Sequence, residues 1–396
     1  MPLIFLCGFV AIALWSLVEH RFERYGVAGP AALTLAGAVL VFIDVDGFAE
    51  AAAGDAAEHV VELILAVLLF VDACEVRGGV FGGEGRAVAR LVLIALPLSL
   101  LAVVLSGVWM LPQLNVFVLL VIVCVVMPTD FSPAATLLRS PWIPPRIRQI
   151  LNVESGYNDG LVSPVFAMAL AAAVALPTLL AAVDADTLTP DAETQLEENL
   201  GEFVAAFLGA VPATLVAIVI GVVFGGLFGL LARLALTRGW AAPAGIRYVM
   251  LLVPLLAFGT ATVSTIAANG FVAAFVAGIL YRLMRTRGTV EHTIPHTEVM
   301  LVEEVGTLAA NLVWFVLGAM TVVVAALGFI GPRGTATIVF GLLAFAKLPE
   351  PEAYDVLAVM VFTVVGSIAL HGVLAPQMVR RRMPRAESSA ASTDHL

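Results

Sequence analysis

The chain has 396 residues, 61% of them hydrophobic and only 13% charged, with a mean hydropathy of +1.03. Soluble domains carry about 25% charged residues, and a soluble core of this length cannot bury so many long uncharged runs, which excludes a water-soluble fold. The formal net charge of −10 excludes a nucleic-acid surface, which needs clustered Lys and Arg.

About twelve apolar segments follow one another, near 3–18, 27–43, 59–74, 88–109, 114–138, 148–175, 203–232, 246–267, 269–284, 301–320, 335–348 and 354–379. Roughly 20 apolar residues cross a bilayer as a helix, and helices satisfy their own backbone groups where water is absent. The sequence therefore predicts an all-α polytopic membrane protein in the cell membrane. Segment 3–18 has no basic residue before it and no small-residue cleavage site after it, so it reads as a retained membrane helix. Residues 1–383 form the transmembrane unit, and 384–396, rich in Ser and Ala, read as a disordered cytoplasmic tail. Cys7, Cys74 and Cys124 sit in or beside apolar segments with no ligand or disulfide spacing. No cofactor is expected. Nineteen of the twenty basic residues are Arg, and Lys347 is the one Lys.

Loop charges predict orientation. Arg21 and Arg24, Arg77, Arg86 and Arg90, Arg139, Arg146 and Arg148, Arg233, Arg238 and Arg247, and Arg282, Arg285 and Arg287 follow alternate segments. The loops between them are acidic or nearly uncharged: one holds Asp44, Asp46, Glu50, Asp55 and Glu58, another runs from Asp184 to Glu202. Basic loops stay cytoplasmic, which puts the N-terminus outside. Arg380, Arg381, Arg382 and Arg385 put the C-terminus in the cytoplasm by the same rule. Twelve crossings cannot satisfy both ends, so one crossing is missing, or one segment between 301 and 348 does not span.

Charges at membrane depth are costly and mark function. The first cluster is Met127-Pro128-Thr129-Asp130-Phe131-Ser132-Pro133, inside an otherwise apolar helix. Its two prolines break the hydrogen-bond ladder, and the freed carbonyls and helix poles suit an ion. Asp130 suits the positive pole. Thr129 and Ser132 also read as ordinary packing hydroxyls. The second cluster is Asn152-Val153-Glu154-Ser155-Gly156-Tyr157-Asn158-Asp159-Gly160. At helical spacing Ser155, Asn158 and Asp159 share a face, and Glu154 stands four residues from Asn158. Glu154 reads equally as a ligand and as the structural partner of Asn158; Tyr157 reads as packing. Desolvation favours a protonated carboxyl, whereas a bound cation favours the ionised form. Proton and cation then compete for one group.

Together these motifs resemble the monovalent cation:proton antiporters, the family of prokaryotic sodium/proton antiporters and animal sodium/hydrogen exchangers. Asn269-Gly270-Phe271-Val272-Ala273-Ala274-Phe275-Val276-Ala277-Gly278, Gly331-Pro332-Arg333-Gly334 and His371-Gly372 add to the likeness. The resemblance implies an inverted-repeat fold with discontinuous helices, and exchange of sodium, lithium or potassium for protons by alternating access. It implies that Asp159 carries cation or proton in turn. Glu154, Ser155 and Thr129 would complete the cation site, with Asp159, Ser155 and Thr129 as direct ligands. Asn158 would orient Glu154. Asp130 and Arg333 would compensate charge at the helix crossing, with Asp72 as the partner of Arg333. Asn, not Asp, before Asp159 implies electroneutral exchange. A homodimer in the lipid bilayer is implied too.

Relatives place another helix between 301–320 and Gly331; here Gly318 and Arg333 are fifteen positions apart. This is where the charge rule finds a crossing missing, so both lines predict a deletion of about one helix, with 318–330 extending the preceding segment. Two further readings stand beside the antiporter. One is a transport-incompetent relative. The other is an intramembrane aspartyl protease built on Asp130 and Asp159, in which two close carboxyls share a proton.

Overall fold

The computed structural model describes residues 3–23, 27–52, 54–76, 85–127, 144–183, 190–287, 293–325, 335–349 and 351–367. Among these residues there are thirteen α-helices, counting Gly85–Met110 with its π-helical turn as one, a short 3-10 helix at Val41–Ile43, and no strand. They are α1 (Leu3–Glu23), α2 (Gly29–Leu40), α3 (Val45–Ala52), α4 (Asp55–Glu75), α5 (Gly85–Met110), α6 (Val116–Val126) and α7 (Pro145–Val183). Then follow α8 (Pro190–Thr237), α9 (Pro243–Thr262), α10 (Gly270–Arg285), α11 (His296–Ala325), α12 (Thr335–Lys347) and α13 (Glu352–Ser367). Six of them (α1, α5, α7, α8, α9 and α11) are long and apolar enough to cross a membrane, while α2, α6 and α12 are shorter apolar helices.

Each expected segment holds a helix, and the differences are local. Inside the acidic 44–58 stretch, α3 forms because Asp44 caps it: Oδ1 accepts the N–H of Gly47 at 3.1 Å. The second acidic stretch is not wholly a loop, because α8 begins at Pro190 and carries Asp191 to Glu202 in its first turns. Pro at the first helical position and carboxylates near a helix N-terminus both favour that start. At 48 residues α8 is far longer than a bilayer needs. Asn115 caps α6 by accepting from Phe117 and Val118, both at 3.0 Å, and Asn269 caps α10 by accepting from Val272 at 3.1 Å.

The tightest helix contact joins α8 to α10. Gly221, Gly225 and Gly229 recur every fourth residue along α8, so they share one face. They lie against Ala273, Ala277 and Tyr281, which recur at the same interval along α10. A Cβ at Gly221 would come 2.6 Å from the Ala273 carbonyl oxygen, and one at Gly225 would fall onto the Ala277 backbone. Small residues at this spacing let helix backbones approach in lipid, where no hydrophobic drive separates helix from tails. On the other side of the bundle, Gly37 of α2 and Gly318 of α11 pack on backbone in the same way.

The ends of several helices share one face. The N–H of Leu3 donates to Oδ2 of Asp44 at 3.2 Å, so α1 begins where α2 ends. Ile4, Val41 and Phe48 cluster there with Ala319 and Met320, so α11 finishes on this same N-terminal face. Lys347, the last residue of α12, meets Glu58 in the first turn of α4 at 2.7 Å, so α12 finishes there too. Two successive helices thus run toward one face. Residues 326–334, where a crossing is expected to be missing, lie outside the described residues. α11 also continues past Gly318 to Ala325.

Candidate functional site

The site is built on α7. Glu154, Asn158 and Asp159 stand two to four turns inside this helix; Asn158 is 2% exposed and Asp159 7%. Nδ2 of Asn158 donates to Oε1 of Glu154 at 3.3 Å, which fixes the Glu154 carboxyl along the helix axis. Ser155 occupies the same stretch of helix. One turn beyond Asp159, fully buried Ser163 donates its hydroxyl to the Gly160 carbonyl at 3.0 Å.

Helix α10 sets the position of this stretch. Phe275 fills the space beside Gly160, where a Cβ would stand 2.6 Å from the ring. The same ring meets Tyr157 edge-on, at 5.2 Å between centroids and an interplanar angle of 87°. Aromatic pairs in this geometry contribute beyond their buried area. Farther along α7, Phe166 packs on Phe340 of α12 at 4.5 Å, and Phe340 meets Phe271 of α10 at 6.3 Å. A cavity of about 650 Å³ opens alongside, from Phe166 to Ala175 of α7.

Helix α10 also carries a residue that the sequence reading misplaced. Arg282, counted above as a basic loop residue, is 0% exposed in the last turn of α10. Its guanidinium is within electrostatic reach of Tyr157 and Cys74. Cys74 donates to the Gly278 carbonyl at 3.5 Å, and Gly278 lies against Phe70, so α4 and α10 touch along this line. The missed signal was spacing: Gly278 and Arg282 are four apart, on the buried face of α10. Only Arg285 and Arg287 flank the end of the helix. Arg285 forms a two-bond ion pair with Glu298 of α11, Nε to Oε2 at 2.9 Å and Nη2 to Oε1 at 2.5 Å.

Of the other predicted residues, Asp72 is half-buried on α4, between Phe70 and Cys74. Thr129, Asp130 and Arg333 lie outside the described residues. The helices that border them are described. α6 ends at Val126 and α12 starts at Thr335, and the two pack on each other. Both are short, at 11 and 13 residues, or about 17 and 20 Å long. Within the described residues both are therefore shorter than the roughly 30 Å hydrocarbon core of a bilayer.

A buried Asn–Asp pair on a spanning helix, packed beside short apolar helices, suits an ion transporter. The family model of the sodium/hydrogen exchanger, transmembrane, matches residues 9–344. The chain belongs to the sodium/hydrogen exchanger family. It is therefore a membrane-embedded, multi-pass cation/proton antiporter and not an enzyme, which removes the aspartyl-protease reading. The exchanger's fold matches that of the sodium proton antiporter MjNhaP1 from Methanocaldococcus jannaschii, with a TM-score of 0.60 at 17% identity, over 93% of this chain and 98% of that one. MjNhaP1 is one of 41 solved chains that match. No curated protein matches the exchanger in sequence.

Proposed function

We propose that this exchanger swaps one monovalent cation, Na⁺ with Li⁺ and K⁺ as the other candidates, for one proton in an electroneutral cycle centred on Asp159. The observation that carries the reading is the near-complete burial of Asp159 on α7, next to an Asn158–Glu154 pair already held by a hydrogen bond. A carboxyl in that setting is neutralised by a proton or by a cation, and each displaces the other. Ser155 and Thr129 offer hydroxyl oxygens to the cation, and Asn158 keeps Glu154 in place beside it. Because Asn158 is uncharged, Asp159 alone changes occupancy at this step, and no net charge moves per cycle.

Asp130 and Arg333 act at the crossing of the discontinuous helices. A carboxylate stabilises the positive pole at the start of α12, and a guanidinium stabilises the negative pole at the end of α6. Asp72 serves as the partner of Arg333. The N-terminus lies outside, the tail lies in the cytoplasm, and the working form is a homodimer in the bilayer.

The test is purified protein in liposomes loaded with a pH dye and pulsed in turn with Na⁺, Li⁺ and K⁺. At least one cation evokes proton flux, Asp159→Asn abolishes it, and clamping the membrane potential leaves its rate unchanged. A folded wild-type protein without flux for any cation establishes the transport-incompetent alternative instead. Flux that tracks the potential overturns electroneutrality.

A further inference from the structure

The cavity beside α7 carries an electrostatic feature that the exchange reading does not use. Its wall is largely apolar, contributed by Phe166 and Ala171 of α7, Phe271 of α10 and Leu343 of α12. Two charged residues join them, Glu62 of α4 and Lys347 of α12. Glu62 stands seven positions after the start of α4, about 10 Å along the helix. Lys347 is the one Lys of the chain, and its ammonium is committed to Glu58 at 2.7 Å. Glu58 is one turn ahead of Glu62 on the same helix. Among the described residues Glu62 makes neither a hydrogen bond nor an ion pair. His59, also within reach of Glu62, is solvent-exposed. Two carboxyl groups share one ammonium at this end of the cavity, an excess of acid over base.

A half-buried carboxylate in an apolar wall, with the neighbouring cation already taken, is a poor structural choice and a good ligand for a mobile cation. At about 650 Å³ the cavity accommodates a hydrated monovalent ion, since six waters at about 30 Å³ each occupy about 200 Å³. Its inner end at Phe166 is seven residues from Asp159 along α7, about 10 Å. Glu62 and Lys347 line its end nearest the N-terminal face, where α4 begins and α12 ends.

We infer that this cavity is a transit site for the hydrated cation, with Glu62 as its ligand and the Glu58–Lys347 pair setting its net charge. A low-dielectric cleft of one sign focuses its field and raises the local concentration of counter-ions. Glu62 thereby sets the apparent cation affinity from one side of the membrane. The inference rests on the exchange reading for the identity of the ion, but its main test does not require turnover.

Ala171, on the cavity wall, is replaced by Cys in the full chain. The variant is labelled in liposomes from the N-terminal face with a cationic and an anionic methanethiosulfonate reagent, the parent chain serving as the blank. The cationic-to-anionic rate ratio is above that of a free thiol. It falls about threefold to tenfold on adding Glu62→Gln and rises on adding Lys347→Gln, while Glu62→Asp preserves it. The apparent KM for the cation then rises in Glu62→Gln and falls in Lys347→Gln, from that face only. A labelling ratio unmoved by Glu62→Gln, or moved in the same direction by both charge removals, overturns the inference. Because labelling proceeds without flux, that failure is distinct from failure of the exchange reading.

Discussion

Replacing Gly225 by Ala puts a methyl group on the backbone of Ala277, at the centre of the α8–α10 contact. Gly226, the next residue, has open space where its Cβ would stand. Both substitutions gain helix propensity, up to about 1 kcal/mol. Only Gly225→Ala adds overpacking, which costs about 1–3 kcal/mol when neighbours cannot move, and here the neighbour is backbone. Gly226→Ala is therefore neutral or stabilising, and Gly225→Ala is less stable than Gly226→Ala by about 1–3 kcal/mol. Gly225→Val is worse still. The assay is an unfolding transition in mixed micelles, followed by intrinsic fluorescence. The contact also matters to the site, because α10 carries the Phe275 ring that seats Gly160 beside Asp159. Cation-coupled flux should fall with Gly225→Val and persist with Gly226→Ala. Equal stability of the two Ala variants would refute the close approach of α8 and α10.

Two further perturbations probe the polar contacts. Arg285→Ala leaves Glu298, 3% exposed, without its ion-pair partner and lowers stability by about 3–5 kcal/mol, whereas Arg285→Met combined with Glu298→Met recovers most of the loss in the same assay. A double-mutant cycle of Asn158→Ala and Glu154→Ala gives a coupling of about 1 kcal/mol, because their hydrogen bond is partly buried; additive effects would show that the contact carries no energy.

Much of this was legible in the sequence because lipid imposes a simple rule. Long uncharged runs must be helices, and every expected segment holds one. Spacing puts Glu154 and Asn158 on one helix face but leaves Glu154 equally a ligand or the partner of Asn158; the structure shows the hydrogen bond between them. A gap before Gly331 is expected from both the loop charges and the chain length; α11 and α12 end on one face, and the residues between them lie outside the described ones. Arg282 was not legible by counting charges, because a cluster with Arg285 and Arg287 looks the same whether its first member is inside the bundle or out. The acidic start of α8 is not legible from charge alone, because Pro190 at the first helical position favours a helix where a run of carboxylates suggests a loop. The stripe Gly221, Gly225, Gly229 was in plain view, but its partner face on α10 is set by tertiary packing that periodicity does not contain.

The most direct measurement is proton release on cation binding, with purified protein in weakly buffered detergent solution and titrated Na⁺, bound ²²Na⁺ being counted in parallel. The account predicts about one proton released per Na⁺ bound, cation affinity that weakens as pH falls, and neither binding nor release in Asp159→Asn. Na⁺ that binds without releasing a proton, or an Asp159→Asn variant that releases protons as the wild type does, would contradict it.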